Sequence, residues 1–581
     1  GDVGLPFYRP SRINHLVRGA NYGWWQRAGN KRSLPVYAPD SVPTTFDVGR
    51  GSPTSVKFGY RNQFPAPWNN ALFALDWAYG RIIAVHLTPR GASYYGSGSE
   101  FLTGRPLNVT DLDFDSYGRM YFITGGRKTR SALFRINYSE DPEPAERVSE
   151  QARLRENFSL GRRELRKRLE SNEAPIHADS ECWLHLSSVD PWLRNAARIR
   201  LESRPLEEWR NLVGTPEAPL GRLTALLALV RQGNETDREN AIRSALDVSA
   251  GSWRQTEKLT LLRIAELTAA PENTSSLRDS LQDRVTSWIT TPERPITREA
   301  LRVFALYEMP ETPRLAMDLF TEATTQEDKL YYLERLSEMK SGWSEEQRVQ
   351  FFKAIAIAKE TSRGDRFMPP FFAAIEARAL AAVDESKREE YAAFLVPPSE
   401  SNPDKLPIRE FVQHWTLEDF SDSAFSTFTV AEHAEGLQLF RTGLCNQCHL
   451  FGTEGRAVGP DLSRVGNRFA PMDLLQSILH PSEVVSEVFR NTLVEKTDGA
   501  QMIGRLVRDD FRESTLHFAT NPFDPAQQMA IPKSEVMKLT ESEVSPMPAN
   551  LLSTFTREEV ITLLQWLLRG PGNFDPTGLG Q

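Results

Sequence analysis

The chain has 581 residues, with 69 lysines and arginines against 77 aspartates and glutamates, a formal charge of −8. That length exceeds one hydrophobic core, so about three domains are expected; the acidic balance disfavours a nucleic-acid partner, whose phosphates need a basic footprint. Hydrophobic residues make up 40% of the chain, an ordinary soluble composition, and no apolar run approaches the roughly 18 residues that span a bilayer.

Residues 1–140 read as β-rich and repetitive. Ala71-Leu72-Phe73-Ala74-Leu75-Asp76-Trp77, a turn through Gly80, and Arg81-Ile82-Ile83-Ala84-Val85 form one strand–turn–strand unit. Leu112-Asp113-Phe114-Asp115, a turn through Gly118, and Arg119-Met120-Tyr121-Phe122-Ile123 form another, about 38 residues on. A period near 40 predicts propeller blades. Asn21-Tyr22-Gly23-Trp24 and Ser52-Pro53-Thr54 resemble the later blades of the glucose/sorbosone dehydrogenase propellers, which use pyrroloquinoline quinone.

Gly125-Gly126-Arg127-Lys128 and Leu133-Phe134-Arg135-Ile136 would close the last blade. About three blades fit, and a propeller needs roughly four to eight, so N-terminal blades on a separate or absent portion are expected. The resemblance places that family's catalytic His in earlier blades, so no catalytic residue carries over. Arg127, Lys128 and Arg130 are candidates for facing an anionic quinone or substrate, against the plainer reading of a solvated turn. His15 and His86 lie in strand-like segments and are expected to be structural. Asp111, Asp113 and Asp115 mimic a calcium loop, but its twelfth position is Phe122, which cannot chelate.

From 150 to 395 the pattern is helical. Leu223, Leu226, Leu227 and Val230 follow i, i+3, i+4, i+7, and Leu301, Phe304 and Ala305 repeat that face. Paired helices with short turns predict a HEAT-like α-solenoid serving as spacer or scaffold. The basic run Arg162 to Arg168 reads as a solvated helix face, and Cys182 as a buried core thiol. Residues 396–425, with Pro397-Pro398 and Pro403, read as a semi-rigid linker.

The last region, 426–575, contains Cys445-Asn446-Gln447-Cys448-His449. C-x-x-C-H is the attachment pattern of c-type haem: two thiols reach one porphyrin from a single turn, and the adjoining His faces the iron. A structural zinc site would need further ligands nearby, and a redox C-x-x-C would sit in a βαβ setting; neither context is present. Thr429-x-x-Glu432 and Thr556-x-x-Glu559 read as capping boxes opening two helices. Between about 491 and 540 a β insertion is expected: Leu493 to Thr497, an Asp498-Gly499 turn and Met502 to Val507 form a hairpin. A second strand pair is expected around Leu516-His517-Phe518 and Val536-Met537-Lys538-Leu539.

Gly459-Pro460-Asp461-Leu462, Gly466 and Arg468, with Gly436 and Phe440 before the motif and Trp566 after it, resemble class I cytochromes c. The resemblance implies that the Pro460 carbonyl accepts from the proximal imidazole and that Arg468 partners a haem propionate. It also implies that Gly436 and Phe440 pack on the last helix, beside Trp566. For the sixth ligand, Met472, Met502, Met529, Met537, Met547, His480 and His517 are available. Ser545-Pro546-Met547-Pro548 resembles the family's Met-Pro ligand loop, which favours Met547. His/Met ligation suits electron transfer.

Across the whole chain the order of parts resembles large secreted haem-binding proteins of planctomycetes: propeller, helical repeats, cytochrome. The resemblance implies one haem c, with pyrroloquinoline quinone and calcium as further cofactors of the propeller. It also implies a periplasmic setting, since haem c is attached outside the cytoplasm and a signal would have been removed. Two functions follow. One is an oxidoreductase passing electrons from a sugar or alcohol to the haem. The other is a non-enzymatic carrier whose propeller and solenoid bind a glycan or partner protein while the haem serves a separate electron-transfer partner. Haem as a mere structural staple is the weakest reading.

Overall fold

The computed structural model describes residues 11–571, apart from 28–29, 34, 50, 61, 127–128, 139–149, 172, 249–252, 270–273, 363–367, 396–408, 426–432, 453, 457, 484, 486–488, 509–513 and 522–527. The fold is mixed: several small antiparallel sheets and many helices, in separate stretches of the chain. The expected opening box Thr429–Glu432, the linker prolines and the Arg127–Lys128 pair lie outside the described residues.

The first stretch holds β1 (Ser11–Ile13), β2 (Trp24–Arg27), β3 (Asn30–Ser33), β4 (Phe46–Gly49) and β5 (Pro53–Phe58). It continues with β6 (Leu72–Asp76), β7 (Arg81–Arg90), β8 (Ser93–Thr103), β9 (Val109–Phe114), β10 (Met120–Gly126) and β11 (Thr129–Ile136). Strands β5-β6-β7-β8 form one sheet and β11-β10-β9 another, both antiparallel. β6 is buried on both faces, which is why it reads as an unbroken apolar run instead of alternating. Phe73 and Leu75 join one core cluster, and Leu72 and Ala74 join another on the opposite face. The two sheets meet where β5 lies beside β9: Thr54 Oγ1 donates to Val109 O at 2.9 Å, and Lys57 pairs with Asp113 at 2.9 Å. The three aspartates that only superficially resemble a calcium loop are engaged, Asp111 by the Ser55 hydroxyl, Asp113 by Lys57 and Asp115 by Arg119.

The helical stretch begins with α1 (Glu150–Ser171), α2 (Cys182–His185), α3 (Pro191–Glu202), α4 (Leu206–Trp209), α5 (Pro219–Gln232), α6 (Glu235–Leu246) and α7 (Gln255–Thr268). It runs on through α8 (Thr274–Ile289), α9 (Arg294–Leu306), α10 (Thr312–Glu322), α11 (Gln326–Ser337), α12 (Glu345–Thr361), α13 (Met368–Ala381) and α14 (Arg388–Ala393). The odd-numbered helices from α3 to α13 pack each on the next, and two consecutive apolar clusters share the length of the array. Leu223, Leu226, Leu227 and Val230 are all buried on α5, and Leu301, Phe304 and Ala305 on α9. Cys182 is buried, and burial pushes its thiol up to about 11.

One expectation fails here. Arg163 and Arg166 of the basic run are buried, not solvated. Arg166 donates to Ala92 O at 3.1 Å and pairs with Glu170, while Arg163 lies over the Tyr94 ring at 4.8 Å. The long arginine stems cover apolar surface while their heads find partners, so the run docks α1 onto the β7–β8 turn. Asp190 completes that junction: it accepts from Ala92 N at 2.8 Å and caps α3 through Trp192 N at 3.0 Å.

The last stretch contains α15 (His433–Thr442), β12 (Leu450–Phe451), β13 (Glu454–Gly455), α16 (Pro471–Leu479) and α17 (Arg557–Arg569). Between α16 and α17 lie β14 (Thr492–Lys496), β15 (Gln501–Arg508), β16 (Thr515–Ala519), β17 (Met529–Pro532) and β18 (Val536–Glu541). The Asp498-Gly499 turn joins β14 to β15, with Gly499 at φ 86°. The expected pairing of β16 with β18 does not occur. The sheet order is β17-β16-β15-β14-β18, so β18 adds to the far side of β14. No described helix is long and apolar enough to cross a membrane.

Candidate functional site

α15 and α17 cross with small-to-large complementarity. A Cβ on Gly436 would lie 2.1 Å from the Trp566 ring, so only glycine lets the helices approach this closely. Phe440 and Phe451 stack around the same indole, with centroids 5.7 and 4.1 Å away. α17 opens as its sequence signals: Thr556 Oγ1 accepts from Glu559 N at 3.2 Å, and Thr556 N donates to the Glu559 carboxylate at 2.8 Å.

This helical frame carries Cys445–Gln447 as one short 3₁₀ turn, entered through Leu444 at φ 58°. A leucine in the left-handed region costs energy, and here it redirects the chain from α15 into the cysteine turn. His449 N donates to Cys445 O at 2.8 Å, which sets the imidazole just past the second thiol. Cys445 and Cys448 are free thiols, held neutral because burial pushes Cys445 up to about 12 and Cys448 in the same direction. They are therefore poor thiolate nucleophiles, unlike the cysteines of a redox C-x-x-C.

His449 Nδ1 lies 2.8 Å from Pro460 O. A carbonyl can only accept, so Nδ1 carries the proton and Nε2 keeps its lone pair. Burial lowers the imidazole from its ordinary value, against the opposing pull of Pro460 O and Asp461, so it stays neutral. The following loop closes tightly on the ring: a Cβ on Gly459 would fall 2.8 Å from His449 Cε1. A neutral imidazole held at Nδ1 by a carbonyl is the arrangement of a histidine that ligates through Nε2. Two free thiols within one turn of it fit a porphyrin attached by both. Among the described residues no three His, Cys, Asp or Glu side chains converge as a metal cage; a haem asks for rim thiols and one axial nitrogen, not a cage.

The sixth-ligand candidates separate. Met472 packs into the helical core and Met502 into the core of the inserted sheet. Met529 and Met537 are exposed, and His517 sits on β16. Met547 and His480 instead line one open cleft of about 810 Å³, with Leu417, Leu479, Val544 and Pro548. Ser545 Oγ accepts from Met547 N at 3.1 Å and fixes the loop.

Arg468 also reaches toward the β stretch. Its Nη2 donates to Asp461 O at 2.9 Å, and its guanidinium lies 5.9 Å from the Trp77 ring centroid, on the β stretch. The contact is broader than one pair. Leu107 N donates to Asn467 O at 3.1 Å, Asn467 Nδ2 donates to Tyr79 O at 3.0 Å, and Arg464 lies over the Tyr79 ring. Arg130 reaches Asp473 of α16 at 3.4 Å while largely exposed. Trp77, Tyr79 and Asn467 carry no motif, and only the aromatic pair flanking the β6–β7 turn hints at a contact there.

No protein-family model matches the chain, and a comparison with curated proteins finds no match either.

Proposed function

We propose that the chain is an extracytoplasmic c-type cytochrome fusion that moves electrons through a single haem. Cys445 and Cys448 would hold it covalently, with His449 and Met547 as axial ligands and Pro460 orienting His449. The other units would be a partial β-propeller over 1–140 and a HEAT-like array over 150–395. Haem supplies reversible one-electron chemistry; the protein sets its ligands, its burial and its contacts. The observation that carries this reading is the C-x-x-C-H turn with its histidine bonded at Nδ1 to Pro460 O at 2.8 Å.

Oxidation of a sugar or alcohol, with pyrroloquinoline quinone and calcium in the propeller, rests on the resemblance of the β stretch. The non-enzymatic carrier is the second reading. It is favoured by Arg130, the one described member of the expected quinone loop, which is paired with Asp473 of the haem unit. The visible spectrum tests both. The protein is produced with the c-haem maturation machinery, supplied with quinone and calcium, and given a panel of sugars and alcohols. Reduction by one substrate, and not by quinone alone, establishes a dehydrogenase; reduction by ascorbate only favours the carrier. Met547→Ala is expected to remove the sulfur-to-iron charge-transfer absorption, whereas His480→Ala leaves it in place; a wild-type protein that lacks this absorption and whose haem spectrum changes in His480→Ala would make His480 the sixth ligand.

A further inference from the structure

An unbroken chain of contacts runs from the β stretch to the proximal histidine. The Trp77 indole, itself fixed by donating Nε1 to Gly125 O at 2.8 Å, faces the Arg468 guanidinium. Arg468 Nη2 donates to Asp461 O at 2.9 Å. Asp461 follows Pro460, whose carbonyl accepts from His449 Nδ1 at 2.8 Å. Around this line, Asn467 is buried and joins the two units through two hydrogen bonds, Leu107 N to its carbonyl and its amide to Tyr79 O. The loop that orients the imidazole is therefore held from two sides, by its own helices and by the β stretch. A hydrogen bond from a ligating imidazole sets both its ring orientation and its basicity, hence the properties of the bound metal.

We infer that Trp77 is a positioning residue for the haem site: through Arg468 and the Asp461–Pro460 carbonyls it couples docking of the β unit to the reduction potential set at His449. The inference rests on the proposed haem ligation. A guanidinium over an indole ring is a contact that an aliphatic residue cannot reproduce. Losing it leaves Arg468 to re-orient and loosens Asp461, whose neighbour Pro460 holds Nδ1 through its carbonyl. The β unit thus does more than sit beside the haem unit; whatever binds or displaces it is read out as a change in potential.

The test uses the full, haem-loaded chain and spectroelectrochemical titration of the midpoint potential, without any substrate. Trp77→Leu and Arg468→Gln are expected to shift the potential in the same direction, and the double variant to shift it no further than the larger single change. Trp77→Phe, which keeps an aromatic face, should retain most of the wild-type value. An unchanged potential in folded, haem-loaded Trp77→Leu overturns the inference. Where that variant does not accumulate, Arg468→Gln, the other half of the same contact, takes its place, and an unchanged potential there overturns it equally. Wild-type protein lacking covalent haem would defeat the proposed function itself; haem with an insensitive potential defeats only this coupling.

Discussion

His449 must do three things at once: stay neutral while buried, present Nε2, and keep its ring at one angle. Neutrality follows from burial, the free Nε2 from the bond to Pro460 O, and the angle from the loop that Gly459 allows to close. Gly459→Ala places a methyl 2.8 Å from Cε1, so the ring must tilt or the loop must open. Lower haem retention and a shifted potential are the expected outcomes, read from haem-to-protein absorbance and from titration; wild-type values for both would show that the loop yields freely. Thiol counting offers a second residue-scale prediction. Of the three cysteines, Cys182 is buried and held neutral well above its ordinary value, so a thiol reagent should label nothing in the native haem-loaded protein. In denaturant it should label one thiol, not three, because the other two are consumed by thioether bonds. The C-x-x-C-H site was legible in the sequence because its chemistry is local, with every group within one turn. The partner of Arg468 was not legible, because Trp77 lies in another unit and nothing near it in the chain marks the contact.

At the level of elements, local signals held and long-range pairing did not follow from them. The Thr556–Glu559 box and the Asp498-Gly499 hairpin each depend on residues a few positions apart, and both form. Which strand β18 joins depends on the whole sheet, and it joins β14. The basic run of α1 departs from a solvated face for a related reason. Charge patterning shows where arginines are, whereas the β7–β8 turn that buries Arg166 is contributed from 74 residues away. The small-to-large fit of α15 on α17 yields a stability prediction: Trp566→Ala removes the indole that Gly436, Phe440 and Phe451 surround, and should cost about 3–5 kcal/mol in denaturant titration. A loss below about 1 kcal/mol would mean the helices collapse onto the gap.

The α1 junction also gives a pH signature. His15 bonds to Ser93 Oγ at 2.9 Å and lies against Tyr94 and Trp192. Its pKa is lowered from 6.5 to about 4, first by burial and then by Arg166, Arg163 and Lys167. The unfolded chain therefore binds the proton more readily, so this contribution is complete above pH 6.5 and is lost as pH falls toward 4. His15→Gln should lose less stability than wild type between neutral and mildly acidic pH, compared by urea midpoints. Equal losses would place the histidine in a freely solvated setting.

Across the whole molecule, the β stretch is anchored at both ends of the chain's course. Toward the helices, Asp40 is fully buried and bonded to Arg263 at 3.0 Å and Arg231 at 2.9 Å, with Arg198 close by. Burial alone would raise this carboxyl, yet the three guanidinium groups hold it below its ordinary value. Asp40→Asn leaves those cations facing an amide and should cost about 3–5 kcal/mol, visible as faster hydrogen exchange in α3, α5 and α7. Toward the stretch that carries the C-x-x-C-H turn, the Trp77–Arg468 and Asn467 contacts form the second anchor. Neither anchor was legible in the sequence, since each joins residues that are remote in the chain and unremarkable in type. Covalent haem at Cys445 and Cys448 is the premise of the proposed electron transfer. The most direct test is the intact mass of the full chain under denaturing conditions, after production with the haem maturation machinery. A mass one haem above the polypeptide, falling to the polypeptide alone in Cys445→Ser/Cys448→Ser, is the predicted result; a wild-type protein at the bare polypeptide mass would contradict it.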